Sequence, residues 1–203
     1  MNRLLVIFTL CLSSATLLAG APKEGDDYKS ISPAPPVGTG NEVEVMEFFM
    51  YTCPHCNNLD PALQEWVKKQ PENVKFKHMP AMFGGAANLH AKTYFALEVM
   101  GEEKHIHNAF FDAIHKQKRR LRTQQDIEKF LGENDVDLDK FRAAINSFTV
   151  QTKANRASAL MRRYGVRSVP ALVVDGRYLI KNTPTILETA DSLIEKTIAD
   201  RKE

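Results

Sequence analysis

The order of predicted helices and strands constrains the fold of this chain more than any other feature. Apolar residues recur at helical spacing from residue 86 to residue 164, whereas strand-like segments occur only before and after this stretch. Strands are expected at 28–31, 42–51 and 74–79, with a hairpin of 171–174 and 177–180. Helices are expected at 54–69, 88–100, 103–116, 123–134, 138–147, 150–164 and 185–199. This order predicts an α/β core, a small sheet with helices on both sides, interrupted by an all-helical insertion.

The same pattern divides the chain into parts. Residues 1–21 carry an early positive charge, an apolar run and then small residues, which together predict a signal peptide for export. An uncleaved membrane anchor is the alternative for this segment. Residues 22–41, rich in proline and glycine, are expected to be a tether. The sheet domain is expected to be discontinuous, over 42–85 and 165–203, around a helical insertion at 86–164.

The cysteine content indicates chemistry rather than structural cross-linking. The chain has three cysteines, and removal of the signal peptide with Cys11 leaves only Cys53 and Cys56. A bridge across so short a loop would constrain the unfolded chain very little. The formal net charge of +2, from 27 basic and 25 acidic residues, gives no strong attraction to nucleic acid or to anionic membranes. A reactive pair of thiols is therefore the most informative feature of the sequence.

The pair lies where a predicted strand ends and a predicted helix begins. The first sulfur, of Cys53, would lie over unpaired backbone N–H groups and the positive end of the helix dipole, which favours a thiolate. Pro54 suits the first helical turn, where its missing N–H costs nothing. His55 can add positive charge or a hydrogen bond to that thiolate, and Cys56, about one turn into the helix, is expected to be more buried. A stabilised thiolate favours the dithiol, so the disulfide would be an oxidant.

Metal binding is the main alternative use of two cysteines at this spacing. A zinc site normally needs two further Cys or His ligands in paired spacing, and the sequence has no second cysteine pair. Copper(I) transfer stays open, since Met50, Met79 and Met82 supply soft ligands nearby, although core methionines are more common. The scattered histidines His90, His105, His107 and His115 are expected to be structural or surface residues. The basic run at 116–122 is expected to be a solvated helix end.

Three segments together resemble the DsbA family of thiol:disulfide oxidants. They are EFFMYTCPHC at 47–56, MFGG at 82–85 and VRSVPA at 166–171. The resemblance extends over essentially the whole mature chain and implies a thioredoxin-like fold interrupted by helices. It also implies an exposed Cys53 that forms the mixed disulfide with substrate and a Cys56 that resolves it. By the same resemblance, His55 stabilises the thiolate and neither a metal nor an organic cofactor is needed.

The resemblance implies further site residues. The Val169–Pro170 bond is expected to be cis and beside the cysteine pair, where the backbone of Val169 could receive an extended substrate chain. Glu47 and Lys77 are expected beneath the site, where they either tune Cys56 or form a structural ion pair. Asp60, four residues after Cys56, is expected to be a solvated surface acid. The apolar residues around Met82, Phe83 and Val169 form either an exposed groove or part of the core.

The function expected from this resemblance is the donation of disulfides to unfolded secreted or periplasmic proteins. The partner expected to reoxidise the pair is an inner-membrane, quinone-linked protein of the DsbB type, and the chain is expected to be a periplasmic monomer that does not bind nucleic acid. Two rivals stay open. A reductase or isomerase would use the same cysteines, although isomerases usually carry a separate dimerisation domain, and a copper(I) metallochaperone would bind metal stoichiometrically.

Overall fold

A five-stranded mixed sheet forms the centre of the molecule. The computed structural model describes residues 21–34 and 42–201, so almost all of the expected signal peptide and part of the tether lie outside the described residues. The strands are β1 (Tyr28–Ser30), β2 (Val43–Phe49), β3 (Val74–Pro80), β4 (Ala171–Val174) and β5 (Tyr178–Ile180). Their order in the sheet is β1-β5-β4-β2-β3, with β2 and β3 parallel and the other pairs antiparallel. The expected α/β sheet and its closing hairpin are confirmed.

All seven residues of β2 are buried because helices cover both faces of the sheet. Val43 and Val45 pack on one face in a cluster with residues of the first and last helices. Met46 and Phe48 point to the opposite face, where they pack with apolar residues of the segment 161–166. This alternation follows from the two-residue period of a strand. The packing of β2 on both faces therefore fixes the position of the turn that follows it.

Seven helices complete the described part of the chain. They are α1 (Pro54–Lys69), α2 (Gly85–Met100), α3 (Glu103–His115), α4 (Gln124–Gly132), α5 (Leu138–Ile145), α6 (Phe148–Tyr164) and α7 (Ile186–Asp200). The bounds of α1 agree with the prediction, and each of the other six helices differs from its predicted bounds by one to three residues at one or both ends. The side chains of Thr123 and Asp137 cap α4 and α5, as their sequence positions indicate. Gly101 and Gly165 end α2 and α6 in the left-handed conformation that glycine adopts without strain.

Helices α2 to α6, which we call the helical block, lie between β3 and β4 along the chain and share an extensive apolar core. Phe49, the last residue of β2, and Tyr51, two residues later, are almost completely buried in this same core. Tyr51 stacks on Phe110 of α3 with ring centroids 4.3 Å apart. The turn that follows β2 is thus held between the sheet and the helical block. Among the residues that the structure describes, no helix is long and apolar enough to cross a membrane.

Candidate active site

The turn between β2 and α1 places Cys53 at the N-cap of the helix. The N–H of Cys53 donates to the carbonyl oxygen of Met50 at 2.9 Å, which closes the turn after β2. Cys53 has extended dihedral angles, and Pro54 occupies the first helical position. The sulfur of Cys53 accepts a hydrogen bond from the N–H of Cys56 at 3.3 Å, as a capping side chain does. The local sequence therefore directs helical N–H groups at the first sulfur.

These contacts make Cys53 acidic. The hydrogen bond with the Cys56 side chain is the largest influence on its pKa, and the backbone groups of Cys56 and His55 and the charge of His55 act in the same direction. Burial opposes them, and the resulting pKa of Cys53 is about 6 instead of the usual 9.0. The thiol group also lies 3.4 Å from the carbonyl oxygen of Val169. The sulfur of Cys53 was expected to be exposed, but only 7% of the residue is accessible to solvent.

Cys56 has the opposite character. It is completely buried, and the pKa of its thiol is raised, first by its hydrogen bond with Cys53 and then by burial. The negative charge of Glu47 also raises this pKa. Both cysteines are free thiols in the structure. At neutral pH the pair therefore holds one thiolate, at Cys53, and one proton, at Cys56.

The Val169–Pro170 loop lies against Cys53, with the carbonyl oxygen of Val169 in contact with the sulfur. The Val169–Pro170 bond is cis, as the resemblance implies. Pro170 is buried, while Val169 is half-buried beside the apolar core of the helical block. Met82 is also half-buried, and 44% of Phe83 is exposed. The apolar residues that were expected to form either a groove or part of the core thus do both: Val169 and Met82 are half-buried, and Phe83 is exposed.

The expected proximity of Glu47 to Lys77 is wrong. The register of β2 and β3 places Glu47 opposite His78, and Met46 opposite Lys77. Because side chains alternate along a strand, Glu47 shares a face with His78 and not with Lys77. The Glu47 carboxylate lies 2.7 Å from Nδ1 of His78, while the ammonium of Lys77 contacts Glu44 at 2.6 Å. Lys77 is exposed, and it pairs with the buried carboxylate of Glu44.

The expectation that Asp60 is a solvated surface acid is also wrong. Only 6% of Asp60 is exposed, because it lies one turn after the buried Cys56 and on the same face of α1. One of its oxygens lies 3.1 Å from Nε2 of His107, and the other accepts a hydrogen bond from Gln64 at 2.7 Å. The nearness of Asp60 to a buried helix position was a usable signal in the sequence.

Sequence reasoning missed His78, which contacts both Glu47 and His107. Its ring centroid lies 4.6 Å from that of His107, and the Nδ1 of His107 lies 3.0 Å from the hydroxyl of Tyr51. We call Glu47, Tyr51, Asp60, His78 and His107 the buried polar cluster. It adjoins the cysteine turn through Tyr51.

The other predicted histidines and the basic run have structural or surface roles. Nε2 of His90 lies 2.7 Å from the carbonyl oxygen of Leu121, and burial lowers the pKa of His90. His105 and His115 likewise contact backbone carbonyl oxygens, of Asn134 and Tyr51. The charged residues of the run 116–122 are exposed or half-exposed, as expected for a solvated segment.

Two cysteines at this spacing, on the first helix after a central strand and beside a cis-proline loop, define a thiol:disulfide oxidoreductase of the thioredoxin-like class. Comparison with known proteins agrees. Residues 44–191 match the family model described as the DSBA-like thioredoxin domain. The chain therefore belongs to the DsbA family.

Relatives and solved structures of the family align with nearly the whole length of this chain. A thiol:disulfide interchange protein DsbA of Pseudomonas aeruginosa is 37% identical over 207 residues, covering 97% of this chain and 98% of the relative. The DsbA of Burkholderia cepacia is 37% identical over 212 residues, with both chains fully covered. A crystal structure of DsbA from Xylella fastidiosa has a TM-score of 0.84 at 32% identity, covering 89% of this chain and 100% of the other.

Proposed function

We propose that the Cys53–Cys56 disulfide is donated to reduced proteins during their folding, with Cys53 as the sulfur that forms the mixed disulfide. The observation that carries this proposal is the opposed acidity of the two thiols, low pKa at Cys53 and raised pKa at Cys56. A thiolate stabilised in the dithiol form makes the disulfide easier to reduce, so electrons flow from the substrate into the pair. His55 and Pro54 support this role by favouring the thiolate and the start of the helix.

The proposed reaction proceeds by two exchanges. A substrate thiolate attacks Cys53 of the disulfide, the Cys53–Cys56 bond breaks, and Cys56 leaves and takes up a proton. A second substrate thiolate then attacks the substrate sulfur of the mixed disulfide, and Cys53 leaves as a thiolate. The low pKa of Cys53 makes it the better leaving group, while a protonated Cys56 is a poor nucleophile for the reverse step. Two electrons and two thiol protons leave the substrate, and no metal or organic cofactor takes part.

Reoxidation follows the same chemistry in the opposite direction. The Cys53 thiolate attacks a disulfide of the partner, and Cys56 resolves that mixed disulfide, which restores the Cys53–Cys56 bond. We propose an inner-membrane, quinone-linked partner of the DsbB type and action in the periplasm as a monomer. The export signal expected in residues 1–21 supports this compartment.

The substrate chain is proposed to lie along the loop at Val169 and Pro170. The carbonyl oxygen of Val169 lies beside the Cys53 thiol, so an extended segment bound there has its cysteine within reach of the sulfur. The half-buried Met82 and the exposed Phe83 offer apolar contacts to unfolded chains of varied sequence. Such contacts suit a protein that acts on many substrates.

Trapping of the mixed disulfide tests the assignment of the two cysteines. The Cys56→Ser variant, activated as a mixed disulfide with glutathione at Cys53, is mixed with a reduced unfolded protein, and the products are separated without reductant. We expect covalent protein–substrate complexes, whereas Cys53→Ser activated at Cys56 should give few, because Cys56 is completely buried. Equal trapping through both cysteines would contradict the proposal.

The rival functions give different results with the wild-type protein. A reductase would leave reduced unfolded protein unchanged and would instead be oxidised by disulfide-bonded substrates. A copper(I) metallochaperone would bind copper stoichiometrically without transferring its disulfide. The half-buried Met50, Met79 and Met82 pack against apolar core residues, which accounts for them without copper.

A further inference from the structure

Three side chains of the buried polar cluster converge from different elements. Asp60 of α1, His78 of β3 and His107 of α3 each bring a ligand-type atom within 4.8 Å of the other two. Asp60 and His107 are buried and His78 is half-buried, so this is not a chance grouping of solvated side chains. Two imidazoles and a carboxylate are a donor set that divalent zinc binds in proteins. The exchange chemistry at the cysteines has no need of this set.

We propose that Asp60, His78 and His107 bind one divalent transition-metal ion of the Zn²⁺ class, with a fourth position open to the neighbouring cavity. Zinc takes nitrogen and oxygen ligands at about 2.0–2.2 Å in tetrahedral geometry, which places the donor atoms about 3.3 Å apart. Nε2 of His107 and Oδ1 of Asp60 are already 3.1 Å apart. The donor atom of His78 lies within 4.8 Å of the other two, so a side-chain shift of at most about 1.5 Å brings it to the same spacing.

The groups around the three ligands are arranged as a metal site requires. Histidine ligands usually donate their second ring N–H to a carboxylate or another acceptor, which fixes the ring and its tautomer. Nδ1 of His78 lies 2.7 Å from the carboxylate of Glu47, which leaves Nε2 for the ion. Nδ1 of His107 lies 3.0 Å from the hydroxyl of Tyr51, a group that can accept or donate.

The carboxylate ligand is oriented in the same way. The Oδ2 atom of Asp60 accepts a hydrogen bond from Gln64 at 2.7 Å, so Oδ1 is turned toward His107. Gln64 in turn contacts Asn108 at 2.6 Å, which links α1 to α3 on this side of the ligands. Each of the three ligands thus has a second hydrogen-bonding partner that orients it toward the other two.

A cleft gives an ion access to these residues. A cavity of about 800 Å³ is lined by His78, His107, Gln64 and Asn108, and its lining does not include Cys53 or Cys56. Six basic side chains also line the cavity: Lys68, Lys75, Lys77 and Lys153 are each paired with a carboxylate, whereas Lys104 and Arg156 form no ion pair with a described residue. The carboxylates of Glu47 and Asp60 next to the two imidazoles supply the negative charge that a divalent cation needs.

Zinc binding to the oxidised protein tests the proposal, because the closed disulfide removes the two thiols as competing ligands. Calorimetric titration of the full chain with zinc chloride is expected to give one ion per chain. The variants His78→Gln and His107→Gln should each weaken the affinity at least tenfold. His105→Gln is the matched control, since His105 is exposed on the same helix two residues before His107, and its affinity should be unchanged.

A second measurement on the unmodified protein guards against variants that fold poorly. Zinc should shift the imidazole NMR signals of His78 and His107 and leave those of His55, His105 and His115 in place. Binding weaker than about 1 mM would overturn the proposal, as would one-to-one binding that shifts the signals of the other histidines. Equal loss of affinity in His105→Gln and His107→Gln would also overturn it.

Discussion

The reactivity of the site is concentrated in one atom, the sulfur of Cys53. Its pKa of about 6 results mainly from groups within three residues along the α1 N-terminus, with the side chain of Cys56 first among them. Spacing alone therefore predicted the acidic sulfur, because the relevant donors belong to the same helical turn. The environment of Cys56 was harder to predict, since Glu47 reaches it from a strand.

Replacement of His55 by alanine should make Cys53 less acidic. The charge of His55 lowers the pKa of Cys53, although its backbone N–H, which alanine keeps, also contributes. We expect a rise of about 1 pKa unit, or about 1.4 kcal/mol, which makes the reduction potential more negative by about 30 mV. The ultraviolet absorbance of the thiolate, followed against pH, measures the change. An unchanged titration would remove His55 from its assigned role.

Replacement of Glu47 by glutamine should lower the pKa of Cys56. The negative charge of Glu47 disfavours a second negative charge at Cys56, and glutamine removes that charge while keeping a similar shape. Glu44→Gln is the matched control, because Glu44 is also a buried carboxylate of β2 but lies on its opposite face, where it pairs with Lys77. The rate at which Cys56 resolves a mixed disulfide at Cys53, measured against pH in each variant, reports the difference. Equal rate profiles in both variants would exclude Glu47 as a tuning group.

At the scale of elements, periodicity predicted the helices and strands well because most of them have one clearly apolar face. The bounds of α1 follow from Pro54 at its start and the change to polar residues at its end. Strand register was not predictable to one residue, so the sequence did not show that His78, and not Lys77, lies opposite Glu47. Contacts among α1, β3 and α3 join residues far apart in sequence, so no local pattern indicated the buried polar cluster.

The cap of α1 contributes to stability as well as to reactivity. In the Cys53→Ser variant the hydroxyl can still accept the N–H of Cys56, whereas Cys53→Ala leaves that N–H without its capping partner. We expect Cys53→Ala to be less stable than Cys53→Ser by about 1 kcal/mol. Urea unfolding of the two variants under reducing conditions measures the difference. Equal stabilities would show that the sulfur does not act as a helix cap.

At the scale of the whole molecule, the reactive turn is held between the sheet and the helical block. Phe49 and Tyr51 anchor the turn in the core of that block, and the cis-proline loop before β4 contacts the sulfur of Cys53. The sequence predicted this architecture through the order of its elements. It did not indicate how far the two sulfurs are buried, since that depends on packing between segments more than one hundred residues apart.

The stability of the reduced molecule should increase with pH more than that of the oxidised one. The folded pKa of Cys53, about 6, lies below its usual value of 9.0, so the folded dithiol releases its proton first. This contribution is complete above pH 9.0 and is lost as the pH falls through about 6. Allowing for solvent screening, it is about 1 kcal/mol at pH 7.

Calorimetric melting of both forms between pH 5 and pH 8 would check this prediction, because the disulfide form has no Cys53 thiol to ionise. The reduced form should melt at the higher temperature at neutral pH, and its advantage should grow as the pH rises. An advantage that is constant with pH would contradict the assigned ionisation.

The redox equilibrium with glutathione is the most direct test of the direction of electron flow. The wild-type protein is equilibrated in glutathione buffers of known composition, and the oxidised fraction gives its reduction potential. We expect a potential well above the value of about −270 mV typical of thioredoxin, so that the disulfide oxidises unfolded proteins. A potential at or below that value would contradict it, because the pair would then act as a reductant.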